Sequence, residues 1–170
     1  MTLAHEALLD LLQATRRSAL RLEMRDTYAG TDPDFAAWQR GQPFDSLAED
    51  AKWHAVIGPP IHRGADVRRA RVVSEPVTDY IRWEYGITAS ASIAIGERVR
   101  WLPRKQASNL ALPGNDFWLI DSQVIFLHFS GDGAVTNREL AAEPSVVKFC
   151  NAAFEAVWER GVDHADYRPT

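Results

Sequence analysis

The chain has 170 residues, 46% hydrophobic and 25% charged, with six Trp, seven Phe, one Cys and a formal charge of −4. That length fits one domain able to bury roughly 70% of the surface its unfolded chain exposes. The single cysteine excludes an intramolecular disulfide and a cysteine zinc cluster, and no apolar run approaches the roughly 18 residues of a membrane span.

The N-terminus, MTLAHEALLDLLQATRR, lacks a basic start, an apolar block and a small-residue cleavage site. A cytoplasmic protein without membrane contact is expected. Charge is unevenly spread: Arg63 to Lys105 holds nine basic residues and five acids, an excess of +4, so the flanks together carry −8. A basic middle suits an anionic partner, and it equally suits ion pairs with the acidic flanks.

Leu3 to Arg17 has helical spacing, with Leu8, Leu11 and Leu12 on a broad apolar face and Thr2 as its cap. In the next segment Leu20, Leu22 and Met24 alternate with Arg21, Glu23 and Arg25, the pattern of a half-buried strand with its charged side in water. The turn Gly30-Thr31-Asp32-Pro33 opens a short helix capped by Asp32 and anchored by Phe35 and Trp38, which Gly41 ends. A further helix is expected over 47–57, stopped by Gly58-Pro59-Pro60.

Ala70 to Ser74 reads as a strand that Pro76 ends. Thr78 or Asp79 caps a helix that Gly86 stops, and 89–95 is a short helical turn closed by Gly96. Strands are expected at 98–102, 117–121 and 124–129, the last two joined by a tight turn near Ser122-Gln123, with a second turn at Gly131-Asp132-Gly133. Ser145 to Arg160 is a long C-terminal helix whose stripe contains Val146, Phe149, Cys150, Ala153, Phe154, Val157 and Trp158. The order indicates a single α+β domain over 1–170, with four or five largely antiparallel strands and helices packed on them. Residues 1–62 would be mainly helical with one strand, and 63–168 would hold the sheet and the long helix.

No GxxxxGK[ST] loop, strand-borne GxGxxG, HExxH or GxSxG elbow occurs, and the five histidines have no spacing suited to a shared metal. No cofactor and no metal are expected. Asp34 with Asp50-Ala51-Lys52 has the letters of a metal-nuclease pattern, but the triplet lies in a helix rather than at strand ends. Cys150 reads as a small apolar group on a buried stripe.

The richest stretch is RVVSEPVTDYIRWEY, Arg71 to Tyr85, facing the strand RVRWLPR, Arg98 to Arg104. Glu75, Asp79, Tyr80, Arg82, Glu84, Arg98, Arg100, Trp101, Arg104 and Asp116 are the candidate binding residues, on the expectation that the two peptides lie side by side around one concavity. Against it stand helix caps (Thr78, Asp79), a solvated Glu75, a packed Trp101 and an internal ion-pair network.

The segments SALRLEMRDTY (18–28), FAAW (35–38), RARVVSEPVTDYIRWEY (69–85), GERVRWLPR (96–104) and DFWLID (116–121), with the helix bearing Cys150 and Trp158, resemble an uncharacterised actinobacterial family, a domain of unknown function. The resemblance implies genes lying beside helix-turn-helix regulators, hence a regulator or another protein as partner. It supplies no catalytic residues. A non-enzymatic interaction or regulatory accessory protein therefore stands first. The alternative is an RNA-acting protein in which Arg82, Arg100, Arg104 and Lys105 hold phosphate and Tyr80 and Trp101 stack on bases. A small-molecule enzyme using Asp79 and Glu84 as an acid–base pair ranks last.

Overall fold

A computed structural model describes residues 1–28, 33–43 and 46–170. The elements are α1 (His5–Gln13), β1 (Ser18–Glu23), α2 (Pro33–Gln39), α3 (Ser46–His62), β2 (Asp66–Val73) and α4 (Asp79–Ala91). After a 3₁₀ turn at Ile93–Ile95 come β3 (Arg98–Pro103), a second 3₁₀ turn at Arg104–Ala107, β4 (Phe117–Ile120), β5 (Gln123–Phe129), β6 (Val135–Ala141), α5 (Pro144–Arg160) and β7 (Val162–Asp163).

The strands form one mixed sheet in the order β6-β5-β4-β1-β2-β3-β7. Here the structure corrects the expected four or five largely antiparallel strands. Among the described residues there are seven, and the neighbouring strands β1, β2 and β3 are parallel. Parallel neighbours need a helical crossover. The segment holding α2 and α3 links β1 to β2, and α4 links β2 to β3. The two missed strands lie at the rims: β6 has no buried residue and is mostly polar, and β7 is only two residues long.

Helices cover both faces. Under α5, Cys150, Phe154 and Val157 pack on Leu20, Leu22, Ala70, Val72, Leu102 and Phe117. On the other face, Leu8 and Leu12 of α1 meet Ala19, Val67, Trp118 and Ile125, and Ile81 of α4 meets Val73, Val99 and Trp101. The C-terminal residues close that last cluster: Tyr167 stacks on Trp101 at 5.4 Å and 6°, and the Val77 amide donates to the Thr170 carbonyl at 2.7 Å.

Several expected boundaries move for local reasons. The cap residue of α1 is Ala4, while Thr2 bridges to Glu139 beside β6. Pro59 and Pro60 lie inside α3 rather than ending it. Pro59 cannot donate to the Ala55 carbonyl, and Gln13 Nε2 donates there instead, at 3.3 Å. Gly86 is likewise carried within α4, a cost near 1 kcal/mol for a helix otherwise well anchored. The left-handed Gly96, at φ 100°, does close the following turn. The β4–β5 turn is Asp121-Ser122, with Ile120 opposite Gln123. Asp121 takes φ 53°, and its carboxylate accepts from the amides of Arg16, Arg17 and Ser18 at 3.1, 2.8 and 3.1 Å. Phe149 stands 42% exposed, outside the buried stripe of α5. The cap assigned to Asp32 lies outside the described residues, and α2 begins at Pro33.

Candidate functional site

The register of the parallel strands decides where charge goes. Arg21 pairs with Arg69 and Glu23 with Arg71 across β1 and β2, so these four side chains share one face of the sheet, between the two apolar clusters beneath the helices. Glu23 is their hub: it accepts from Arg21 Nε at 3.2 Å, Arg69 Nη1 at 2.7 Å and Arg71 Nε at 2.6 Å. Arg69 Nε donates to Glu97 at 2.9 Å, and Trp53 Nε1 donates to the other Glu97 oxygen at 3.1 Å. Arg71 Nη1 donates to Thr88 Oγ1 at 2.9 Å, its Nη2 lies 3.5 Å from Glu84, and its guanidinium covers the Trp101 ring at 4.7 Å. At the far end Asp116 accepts from the Met24 amide at 3.0 Å and from the Tyr28 hydroxyl at 2.5 Å, with Arg21 Nη2 at 3.7 Å.

This layer is dry. Arg21, Glu23 and Arg71 are each 6% exposed and Glu97 is 1% exposed. Burial works against the Glu23 charge, but the guanidiniums of Arg69, Arg71 and Arg21 outweigh it and hold the carboxyl well below the usual range. Glu84 goes the other way: burial, with Glu23 close by and against the pull of Arg71, pushes it up to about 7. Burial also raises Asp116. One carboxyl in the cluster is thus firmly ionised and another is ready to hold a proton.

The candidate binding residues separate into six places. Glu84 and Asp116 belong to the buried layer. Glu75 and Arg104 line a cleft of about 330 Å³ at the carboxyl ends of β2 and β3, with Ser74, Lys105 and Ser108. There Arg104 donates to Ser74 Oγ at 2.9 Å and to the Met24 and Val72 carbonyls at 2.6 and 3.1 Å, and its Nη2 lies 3.4 Å from Asp26. Lys105 Nζ is 3.9 Å from Glu75, which also accepts from the Tyr167 hydroxyl at 3.1 Å.

Arg98 and Arg100 project from the opposite face of β3, toward α5, and so do not meet α4. They pair with Asp66 and Asp163 at 2.5 and 2.8 Å and lie over the Trp158 ring at 5.6 and 4.6 Å. With Ile93 and His164 they edge a cleft of about 420 Å³ beside β7. Tyr80 packs with Tyr28, Phe35 and Trp83. Trp101 is fully buried. Asp79 and Arg82 are exposed on α4, and Thr78 rather than Asp79 is the cap, its Oγ1 accepting from the Ile81 amide at 3.2 Å. The single concavity expected from the sequence is therefore not formed. Arg21, Glu23, Arg69, Arg71 and Glu97, which make up most of the buried layer, carried no site expectation.

The comparisons with known proteins fit this architecture. The sequence matches the model of a domain of unknown function (DUF6879) over residues 6–169, and the chain belongs to that family. No curated protein matches it at the sequence level. Among solved structures it is similar to TrmBL2, an archaeal chromatin protein with a novel mode of DNA binding (11% identity, TM-score 0.51). That match covers 91% of this chain and 48% of the other, so the chain spans about half of TrmBL2. It is also similar to Nuc, a phospholipase D family member from Salmonella typhimurium (13% identity, TM-score 0.54, 97% and 91% covered). A third is NucT from Helicobacter pylori (14% identity, TM-score 0.52, 93% and 89% covered). At such identities the likeness is one of fold.

Proposed function

We propose that the chain is a non-enzymatic interaction protein, a scaffold that presents a surface to a protein partner. One observation carries this reading: every arginine of β2 and β3 has a carboxylate partner within the chain. Arg68 pairs with Asp66 and Glu155, Arg69 with Glu23 and Glu97, Arg71 with Glu23 and Glu84, Arg98 with Asp66, and Arg100 with Asp163. Guanidiniums so matched stiffen the sheet instead of waiting for phosphate.

The surface we assign to the partner is the cleft beside β7. It combines Trp158 with Arg98 and Arg100, the residue types that dominate protein interfaces, and its edge carries the exposed Ile93. A segment with an apolar anchor fits it, and a helix-turn-helix regulator is the partner class the family resemblance suggests. Tagged chain purified from its native host should retain one defined protein, and Arg98→Glu with Arg100→Glu should release it while the fold persists. Retention of the same partner by the double variant refutes the assigned surface. Turnover of a small molecule by the purified chain refutes the reading as a whole.

A second reading, nucleic-acid binding, rests on the cleft at the carboxyl ends of β2 and β3, where open α/β sheets bind ligands. Arg104 and Lys105 line it, and the DNA binding named for TrmBL2 supports it by analogy. Salt-sensitive binding of single strands, lost in Arg104→Ala with Lys105→Ala, is its test.

A further inference from the structure

One side of α5 packs on the sheet, and the other is left to the outside. At 3.6 residues per turn, Lys148, Phe149, Ala152, Glu155, Ala156 and Glu159 fall on that outer side. Phe149 is 42% exposed, more than any other described Phe, Tyr or Trp. Ala152 is exposed and Ala156 half-buried beside it, which leaves a low apolar floor next to a raised ring. A single exposed ring is ordinary on a protein surface. Its charged setting is not.

Two charges near this side are committed within the chain. Glu155 is held by Arg68 Nη2 at 2.6 Å, and Arg160 donates to the Gln106 carbonyl and to Asn109 Oδ1 at 2.9 and 2.6 Å. The side chains of Lys148 and Glu159 are both exposed and make no ion pair or hydrogen bond among the described residues. They flank the apolar centre, about 16 Å apart along the helix axis. Glu159 also stands in the last turn of α5, where the helix dipole disfavours an acid.

A free cation at one end of a face and a free anion at the other make that face complementary to itself. Two copies of α5 laid antiparallel about a two-fold axis bring Lys148 of each chain to Glu159 of the other, and each Phe149 ring onto the opposite floor of Ala152 and Ala156. Such an interface uses the same patch twice, residue i meeting j and j meeting i. A parallel arrangement would set like charge on like. We propose that the outer side of α5 is a dimer interface and that its occupant is a second copy of this chain. The ring supplies the anchor and the paired charges fix the register. Lys148 also lines, with Val147 and Asn151, a cleft of about 520 Å³ beside the β4–β5 turn, so Glu159 of the second copy arrives at its lip. The partner surface beside β7 is a different one: Arg98, Arg100 and Trp158 form it, and none of them lies on the outer side of α5. A contact centred on one helix is at the small end of specific interfaces, and a micromolar dimer is expected.

The test is sedimentation of the full chain across about 1–200 µM in about 0.1 M salt, a range that reveals a weak dimer without screening short ion pairs. The mass should rise with concentration toward twice the 19.1 kDa of the chain. Phe149→Glu puts a carboxylate at the apolar centre from both sides and should raise the dimer Kd at least about tenfold, with the far-UV circular dichroism unchanged. Lys148→Glu and Glu159→Lys should each weaken the dimer several-fold. An equimolar mixture of these two variants should associate more tightly than either alone, because each chain supplies the charge the other has lost. A local effect on the helix would not produce that rescue, and it decides the matter if Phe149→Glu does not fold. A wild-type chain that stays monomeric to about 200 µM leaves the face to a different occupant and overturns the proposal. So does a dimer that a folded Phe149→Glu chain forms equally well, or a mixture no tighter than its components.

Discussion

Replacing Glu23 by Gln keeps the shape of the side chain and removes the charge on which three guanidiniums converge. In the folded chain Arg21, Arg69 and Arg71 lie 3.2, 2.7 and 2.6 Å from the Glu23 oxygens, all within the buried layer. Breaking a buried ion pair from one side costs about 3–5 kcal/mol, because the remaining charge stays desolvated. That is a large share of the roughly 5–15 kcal/mol holding a domain folded. At about 2–4 °C per kcal/mol for a chain of this size, the expected fall in Tm is about 6–20 °C.

Urea unfolding followed by tryptophan fluorescence and far-UV circular dichroism reads the loss directly. Glu49→Gln is the control: it breaks the exposed Lys52–Glu49 pair, whose side chains are 73% and 61% exposed, and should cost under about 0.5 kcal/mol. The pH dependence supplies a second readout. A carboxyl held below its ordinary range stabilises the fold above a pH near 4.3 and loses that contribution as the pH falls. The wild type should therefore weaken in acid more steeply than Glu23→Gln. If Glu23→Gln unfolds within about 0.5 kcal/mol of wild type, as the control should, the hub is not what holds this face of the sheet and the reasoning is wrong.

Glu84, pushed up to about 7, has the opposite sign: the folded chain binds its proton more tightly than the unfolded chain does. Stability should fall as the pH rises from about 4.5 to 7 through this group, and Glu84→Gln should flatten that slope in urea midpoints taken across the range. Cys150 is fully buried, and burial pushes its thiol up to about 11. A disulfide reagent should leave the native chain unlabelled at neutral pH and label one thiol per chain in urea. Trp158→Ala removes a ring stacked on Phe154 and covered by Arg68 and Arg100, at a cost of about 3–5 kcal/mol in the same unfolding assay. Gly96→Ala forces a side chain into φ 100° and brings its Cβ to 3.1 Å from Ile61, so it should lower Tm while the exposed Gly86→Ala leaves it unchanged or raised.

The long C-terminal helix, the strands at 18–23, 98–103 and 117–129 and a cap at Thr78 or Asp79 are legible because each depends on local periodicity or a side chain reaching its own backbone. The sheet's direction is not, since parallel pairing is decided by crossovers that bring distant segments together. The alternation of Leu20, Leu22 and Met24 with Arg21, Glu23 and Arg25 gives the right phase, but Arg21 and Glu23 do not face water. A strand central to a parallel sheet is covered on both faces, so Arg21 and Glu23 went into the interior.

The same blindness hid Arg69, Arg71 and Glu97. A signal existed: Glu23 and Arg71 sit among apolar strand residues, and buried charges of opposite sign must find each other. Arg98 and Arg100 were correctly placed on one face of their strand, but sequence could not tell which face met α4. Glu75 and Arg104 meet only because β2 and β3 end side by side.

The central claim is that the arginines of β2 and β3 are satisfied from within the chain. Fluorescence anisotropy of labelled single-stranded RNA and DNA at about 50 mM salt, where electrostatic binding is strong, tests it most directly. The account predicts no saturable binding by the folded chain. Tight binding that weakens steeply with added salt, and that disappears in Arg104→Ala with Lys105→Ala, contradicts it and hands the protein to the nucleic-acid reading.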